Sequence, residues 1–125
     1  MRFGLFGGAK SAGYGPDADS QGYRSFIDYV IRAEELGFES LFMVEHHFTG
    51  VGQVSASLNL LTYLAALTKR IRLGTAVVVL PWHNPVLLAE QASTLDLLSG
   101  GRFDFGVGKG YRKNEFAGFS ISQGE

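Results

Sequence analysis

The residues best able to do chemistry in this 125-residue chain are its three histidines, His46, His47 and His83. An imidazole gains or loses a proton near neutral pH, so each is a candidate general acid or base if a pocket forms beside it. Lys109 lies between alternating glycines, where an open backbone and a cation suit a bound anion. Structural histidines that only form hydrogen bonds, and a solvated lysine in a loop, remain the alternatives.

Three familiar ligand motifs fit these residues poorly. The run Gly7-Gly8-Ala9-Lys10-Ser11 lacks the glycine that a phosphate-binding loop needs before its lysine. Tyr111 stands where a dinucleotide-binding fingerprint needs its third glycine. Adjacent histidines on a strand point to opposite faces, and no second ligand pair accompanies them, so we expect no metal site.

Composition excludes several classes of protein. The chain has 11 basic and 12 acidic residues and a net charge of −1, which predicts no binding to nucleic acid. It has no cysteine, which excludes disulfides, thiolate chemistry and iron–sulfur clusters. Its longest apolar run, residues 76–82, is far too short to cross a membrane. We therefore expect a cytoplasmic protein whose partners are small molecules or other protein chains.

The hydrophobic pattern alternates between short apolar runs and helical stretches. Strands are predicted at residues 3–6, 40–44, 71–80 and 102–107, and helices at 19–37, 58–68 and 85–99. The first helix is expected to begin with a cap at Asp19 or Ser20 and the third with Asn84 before Pro85. Glu34 and Glu35, late in the first helix, are expected to be solvated.

This alternation predicts a parallel sheet with right-handed crossovers, either doubly wound or part of an eightfold (β/α) barrel. Ligands gather at the carboxyl ends of the strands in both architectures. All three histidines follow such an end, as does Lys109. Because a barrel needs about 250 residues, the barrel interpretation makes this chain half of one.

Three longer strings resemble the bacterial luciferase-like flavin-dependent monooxygenases. They are the strings Glu45-His46-His47-Phe48, then residues 73–81 with 83–86, then residues 99–111. Their order and spacing match the family, and the similarity runs from Met1 to about Phe119. The resemblance implies a TIM-type (β/α)8 barrel of which residues 1–125 form the N-terminal half, with the first four βα units.

The implied activity is the oxygenation of a small organic substrate with O2 and reduced FMN, which a separate flavin reductase delivers. The deazaflavin F420, used by some relatives, is the alternative cofactor. A non-catalytic flavin-binding or assembly module is the alternative function. Four strands alone leave unpaired edges, so we expect a homo-oligomer and negligible turnover by the chain in isolation.

The resemblance also assigns roles to residues. It implies that His46 is catalytic, that the Ala76-Val77 peptide is a non-proline cis bond against the flavin, and that Lys109 holds the flavin phosphate. The other residues implied at the cofactor are Phe6, Glu45, Gly108 and Gly110. Because the oxygen adduct of a reduced flavin decays when water reaches it, apolar walls such as Phe6, Val77 and Val79 are expected around the ring.

Overall fold

The computed structural model describes residues 1–50, 52 and 54–124. The strands are β1 Gly4–Gly7, β2 Ser40–Met43, β3 Arg72–Thr75, β4 Val78–Val79, β5 Phe103–Asp104 and β6 Val107–Gly108. The helices are α1 Pro16–Glu35, α2 Ser57–Leu67, α3 Pro85–Ser99 and α4 Lys113–Gly118, with a 3₁₀ turn at Leu80–Trp82. None of these helices, within the described residues, has the length and apolar character needed to traverse a lipid bilayer.

The main sheet has four parallel strands in the order β1-β2-β3-β5. Leu5 pairs with Leu41, and Leu41 with Leu73, so one row of leucines crosses three strands. β4 and β6 form a second, two-stranded parallel sheet. Since every pairing is parallel, the strands deliver their carboxyl ends to the same edge of the fold. The predicted parallel α/β arrangement is confirmed.

The core lies between the main sheet and its helices. Leu41 and Leu73 from the sheet are fully buried, as are Val30 of α1, Leu61 of α2 and Leu95 of α3. Each helix therefore contributes an apolar stripe to one contiguous cluster. This packing fixes the strand ends from which the rim residues project.

The predicted helix ends are confirmed except at the start of α1. The side chain of Asn84 caps α3 by accepting from the N–H groups of Val86 and Leu87, and Gly100 ends α3 in the left-handed conformation. The prediction of a cap at Asp19 or Ser20 is wrong, because α1 begins at Pro16. Proline suits a first helical position, since its fixed φ is helical and its missing N–H would have no partner there.

The third and fourth predicted strands are each broken in two. Residues 76–77 and 105–106 interrupt them, and the chain beyond each break pairs in the second sheet. Thr75 bridges the breaks: its hydroxyl donates to the Gly106 carbonyl at 2.8 Å and accepts from the Gly106 N–H at 3.0 Å. A Cβ on Gly106 would collide with the Thr75 carbonyl oxygen, so only glycine fits. The Ala76-Val77 peptide is cis, as the resemblance implied.

Glu34 also departs from prediction. Its carboxylate accepts from the backbone N–H groups of Lys69, Arg70 and Ile71 at 2.6–3.2 Å, which ties α1 to the start of β3. Burial alone would raise the pKa of Glu34, but these hydrogen bonds and the charge of Arg70 bring it below its ordinary value. The expectation of a merely solvated carboxylate is therefore wrong for Glu34. Glu35 does lie at the surface, where it pairs with Arg32.

Candidate active site

A cavity of about 410 Å³ opens at the carboxyl ends of the strands. It is lined by all eight residues that the family resemblance implied at the catalytic and cofactor sites, namely Phe6, Glu45, His46, Ala76, Val77, Gly108, Lys109 and Gly110. Val44, Val79, Trp82, Tyr111 and Glu115 complete the lining. The structure thus brings the histidine-bearing and glycine–lysine segments to one cavity, whose volume lies within the usual range for ligand pockets.

Strand ends position these groups. Phe6 comes from the end of β1, while Glu45 and His46 follow β2 directly. Ala76 and Val77 occupy the break between β3 and β4, and Lys109 follows β6. The break matters to the site because Ala76 and Val77, which form it, both line the cavity.

His46 is held by a buried carboxylate from the last helix. Its Nδ1 lies 3.1 Å from Oε1 of Glu115, whose side chain is 2% exposed. The same oxygen accepts the backbone N–H of His47 at 2.9 Å. Among the described residues, no group bonds to Nε2 of His46. The imidazole therefore has one anchored nitrogen and one nitrogen available to a ligand.

Glu45 organises the other two histidines. Its Oε1 lies 2.9 Å from Nε2 of His47 and 2.7 Å from Nε2 of His83, and its Oε2 accepts the backbone N–H of Val79 at 2.7 Å. The side chain of Glu45 is 1% exposed. Both of its oxygens are thus engaged by protein groups, and they fasten β4 and the 3₁₀ turn to the end of β2.

An aromatic cluster backs this network. The ring of His47 packs edge to face on Trp82 and Phe119, with ring centroids 5.2 and 4.7 Å apart. Trp82 also packs on Phe116, with a centroid distance of 5.5 Å. The indole Nε1 of Trp82 is buried with no hydrogen-bond partner among the described residues. A buried donor without a hydrogen-bond partner lowers the stability of the fold. Trp82 carries this donor in the lining of the larger cavity.

The glycines of the 106–110 segment serve packing more directly than expected. A Cβ on Gly108 would meet the Val77 side chain at 2.6 Å, and one on Gly110 would meet Val79 at 2.6 Å. Gly110 also has a φ of +73°. These glycines let the β6 segment lie directly against the two valines, with Lys109 held at the cavity edge between them.

Two basic residues, Lys109 and Arg112, follow β6. Lys109 is exposed and lines the cavity. The guanidinium of Arg112 lies 5.5 Å over the Tyr111 ring, and its Nε donates to the Tyr111 hydroxyl at 3.3 Å. That hydrogen bond raises the pKa of Arg112 above its usual value. The edge is thus suited to an anionic group.

A second, smaller cavity of about 170 Å³ adjoins the first, and His46 lines both. Val44 is also common to both linings. Lys10 and Arg112 are the cations of the smaller cavity. His46 therefore stands in the partition between the two spaces.

Sequence reasoning did not find Glu115. Nothing in the local pattern separates it from a solvated acid on a short helix, and its burial depends on contacts 68 and 69 residues away. Within residues 1–50, 52 and 54–124, no group of three or more His, Cys, Asp or Glu side chains is arranged to hold a metal ion.

Comparison with known proteins gives concordant matches. The family model for luciferase-like monooxygenases matches residues 1–125. An F420-dependent glucose-6-phosphate dehydrogenase from Amycolatopsis mediterranei is 35% identical over 109 residues, which are 84% of this chain and 33% of that protein.

Among solved structures, the monooxygenase RslO1 from Streptomyces bottropensis superposes with a TM-score of 0.85 and 34% identity, over 98% of this chain and 37% of that one. The oxygenating constituent of 3,6-diketocamphane monooxygenase from Pseudomonas putida, in complex with FMN, shares the fold with a TM-score of 0.83 and 23% identity, over 97% of this chain and 33% of that one.

The chain belongs to the luciferase-like monooxygenase family, because the family model matches its whole length. Its α/β fold with a parallel sheet matches that of luciferase-like barrel enzymes. The relatives that it matches include both a monooxygenase and an F420-dependent dehydrogenase. The chain spans about a third or less of the length of the curated relatives that it matches.

Proposed function

We propose that this chain forms the cofactor-binding half of a monooxygenase that uses reduced FMN and O2 to oxygenate a small organic substrate. The observation that carries the proposal is the meeting of His46 and Lys109 in one cavity with the apolar wall of Val77 and Val79. An isoalloxazine ring is flat and largely apolar, whereas its ribityl phosphate is anionic, so the two parts of the cavity suit its two ends.

The residues of the chain have distinct tasks in this proposal. Val77, Val79 and Phe6 provide the apolar surfaces against which the ring packs, and they keep water away from its reactive edge. Lys109 pairs with the phosphate, while His46 moves a proton at its Nε2. The bound flavin supplies the reducing electrons that activate O2. Glu45 holds the apolar wall in place by accepting the Val79 N–H. Gly108 and Gly110 let the β6 segment lie close to Val77 and Val79.

Closure of the site requires more chain than these four βα units. Phe6 is 73% exposed and Tyr111 68% exposed, although both line the cavity. Within the part of the chain that the structure describes, β1 and β5 are the outer strands of the main sheet, each with one unpaired edge. We propose that residues 1–125 are the N-terminal half of a (β/α)8 barrel, and that further strands cover this apolar surface.

Several accompanying parts of the proposal follow the family resemblance. A separate reductase supplies the reduced flavin, and the completed enzyme is a homo-oligomer in the cytoplasm. The F420-dependent relative favours a second candidate, an F420-dependent oxidoreductase with the same cavity. FMN is preferred because the Glu45-His46-His47 string resembles the luciferase-type members.

The test of the cofactor is an anaerobic titration of the chain with reduced FMN and with reduced F420, followed by fluorescence. We expect weak binding that favours FMN. Replacing Lys109 by Ala should weaken FMN binding about 10- to 100-fold, because a charge-assisted hydrogen bond contributes about 1.5–3 kcal/mol and 1.4 kcal/mol is a factor of ten.

Lys113→Ala is the matched control, since Lys113 is also exposed but is not among the cavity residues. It should leave the titration unchanged. Equal effects of the two substitutions would reject the phosphate role of Lys109, and tighter binding of F420 would replace FMN as the cofactor. Oxygenase activity from a monodisperse, flavin-saturated monomer of this chain would overturn the half-barrel proposal.

A further inference from the structure

The carboxylate of Glu115 decides which nitrogen of His46 carries a proton. An ionised carboxylate only accepts hydrogen bonds, and Oε1 of Glu115 already accepts the His47 N–H at 2.9 Å. Nδ1 of His46, at 3.1 Å from the same oxygen, must then be the donor. In the neutral imidazole this leaves Nε2 as the lone-pair nitrogen.

The three histidines of the rim differ in this respect. His47 and His83 both direct Nε2 to Glu45. His46 alone uses Nδ1 for its carboxylate, and it alone lines both cavities. Two buried glutamates thus divide the imidazoles into a structural pair and a single one whose Nε2 remains available.

The helix that carries Glu115 is well placed to hold this geometry. α4 begins a few residues after Lys109, and Phe116, 3% exposed, packs against Trp82. Glu115 is 1% exposed, so its carboxylate is shielded from competing water. Through this one side chain, the segment after β6 orients the segment after β2.

We propose that Glu115 is the positioning residue of the active site: it fixes His46 in the Nδ1–H tautomer and so makes Nε2 the proton acceptor at the partition between the two cavities. The catalytic part of this inference rests on the proposed function. When a ligand X–H loses its proton, the new bond is N–H at Nε2 and the electron pair stays on X. Nδ1 keeps its own proton, and the Glu115 carboxylate, which accepts from it, stabilises the imidazolium.

The test reads the tautomers directly, by long-range ¹H–¹⁵N NMR of the histidine rings in this chain. We expect a pyridine-type Nε2 for His46 and a pyrrole-type Nε2 for neutral His47 and His83. In Glu115→Ala the His46 ring should populate the Nε2–H form. In Glu115→Gln it should keep the Nδ1–H form, because an amide oxygen still accepts from both donors.

Glu45→Gln is the matched control at the other buried carboxylate, and it should change the spectra of His47 and His83 while leaving His46 as in the wild type. A wild-type His46 protonated at Nε2 overturns the inference, and this measurement needs no variant to fold. An unchanged His46 tautomer in a folded Glu115→Ala chain overturns it too. A chain with the expected tautomer that binds neither FMN nor F420 instead contradicts the proposed function and leaves the tautomer assignment standing.

Discussion

At the amino end of the sheet, Glu34 receives three consecutive backbone N–H groups, whereas at the carboxyl end Glu115 receives one histidine ring and one backbone N–H. At the amino end Arg102 also bonds mainly to backbone groups. Its Nε donates to the Ser99 carbonyl, and its Nη1 donates to the Ile71 carbonyl and the Thr68 hydroxyl. Its Nη2 donates to the carbonyls of Ala65 and Thr68, and all five bonds are within 3.1 Å.

The two ends differ in whether the bonded partner keeps another polar atom that could act on a ligand. A backbone amide bonded to Glu34, or a carbonyl bonded to Arg102, has no further chemistry, so these contacts only join helices to strands. The imidazole bonded to Glu115 retains a second nitrogen beside two cavities. At the amino end Glu34 and Arg102 thus join helices to strands, whereas at the carboxyl end Glu45 joins neighbouring segments and Glu115 holds the ring of a residue that lines both cavities.

The substitution that best distinguishes the roles of the two ends of the sheet is His46→Ala in the protein with its barrel complete. Loss of the general acid–base group should lower the oxygenation rate about 10²–10⁴-fold, with flavin binding nearly unchanged. Steady-state oxygen uptake and a flavin titration measure the two effects. His83→Ala is the control: its imidazole is bonded to Glu45 and does not line the larger cavity, so it should cost stability more than rate. An unchanged rate in His46→Ala would reject the catalytic role of His46, whereas flavin binding without oxygen uptake by the wild-type protein would favour the non-catalytic flavin-binding module.

Arg102→Ala should show the opposite behaviour. Removing the guanidinium leaves carbonyls of α2 and α3 without their donor, and we expect a loss of about 3 kcal/mol in the free energy of unfolding. Urea denaturation measures it, and the histidine NMR signals of the folded variant should stay as in the wild type. Arg2→Ala provides the comparison, because its pairing with Glu39 is solvent-exposed and should be worth less than about 0.5 kcal/mol. A stable Arg102→Ala chain with displaced His46 signals would contradict the separation of the two ends.

The smallest expected effect concerns pH and Glu34. Its pKa is lower in the folded chain than its ordinary value of 4.5, so its contribution is complete above that value. As the pH falls from about 4.5 through the folded pKa, that contribution to the free energy of unfolding should disappear. Glu34→Gln should therefore make the free energy of unfolding less dependent on pH in this range. The change should be less than about 1 kcal/mol, because the group is partly exposed. Urea midpoints between about pH 2 and about pH 6, which span the ordinary titration of carboxyl groups, would show it.

Glu35→Gln, next in the chain, supplies the reference for that series. Among the described residues, the Glu35 carboxylate pairs with Arg32 alone, at the surface, so the Glu35→Gln variant should follow the wild-type curve. If both variants change the acid limb equally, the backbone hydrogen bonds to Glu34 are not the source of the effect.

The order of strands and helices was predictable because each element carries its own pattern. The apolar spacing of α1 and α3, the cap at Asn84 and the left-handed glycine at Gly100 are local signals. The breaks at residues 76–77 and 105–106 were not predictable from the residues alone, because continuous apolar runs conceal them. They arise from a contact between distant segments, in which Thr75 bonds both backbone groups of Gly106.

The same distinction applies to the site. Parallel strands place their carboxyl ends on one edge, so the sequence alone determined that His46, His83 and Lys109 share a rim. Which imidazole nitrogen faces a ligand was decided only by the tertiary structure, since it depends on carboxylates that folding buries beside the rings. Hydrophobic periodicity reports burial along a single element, whereas the partner of a buried polar group is set by packing between elements. That is why Glu115, unremarkable in sequence, holds the central histidine of the site.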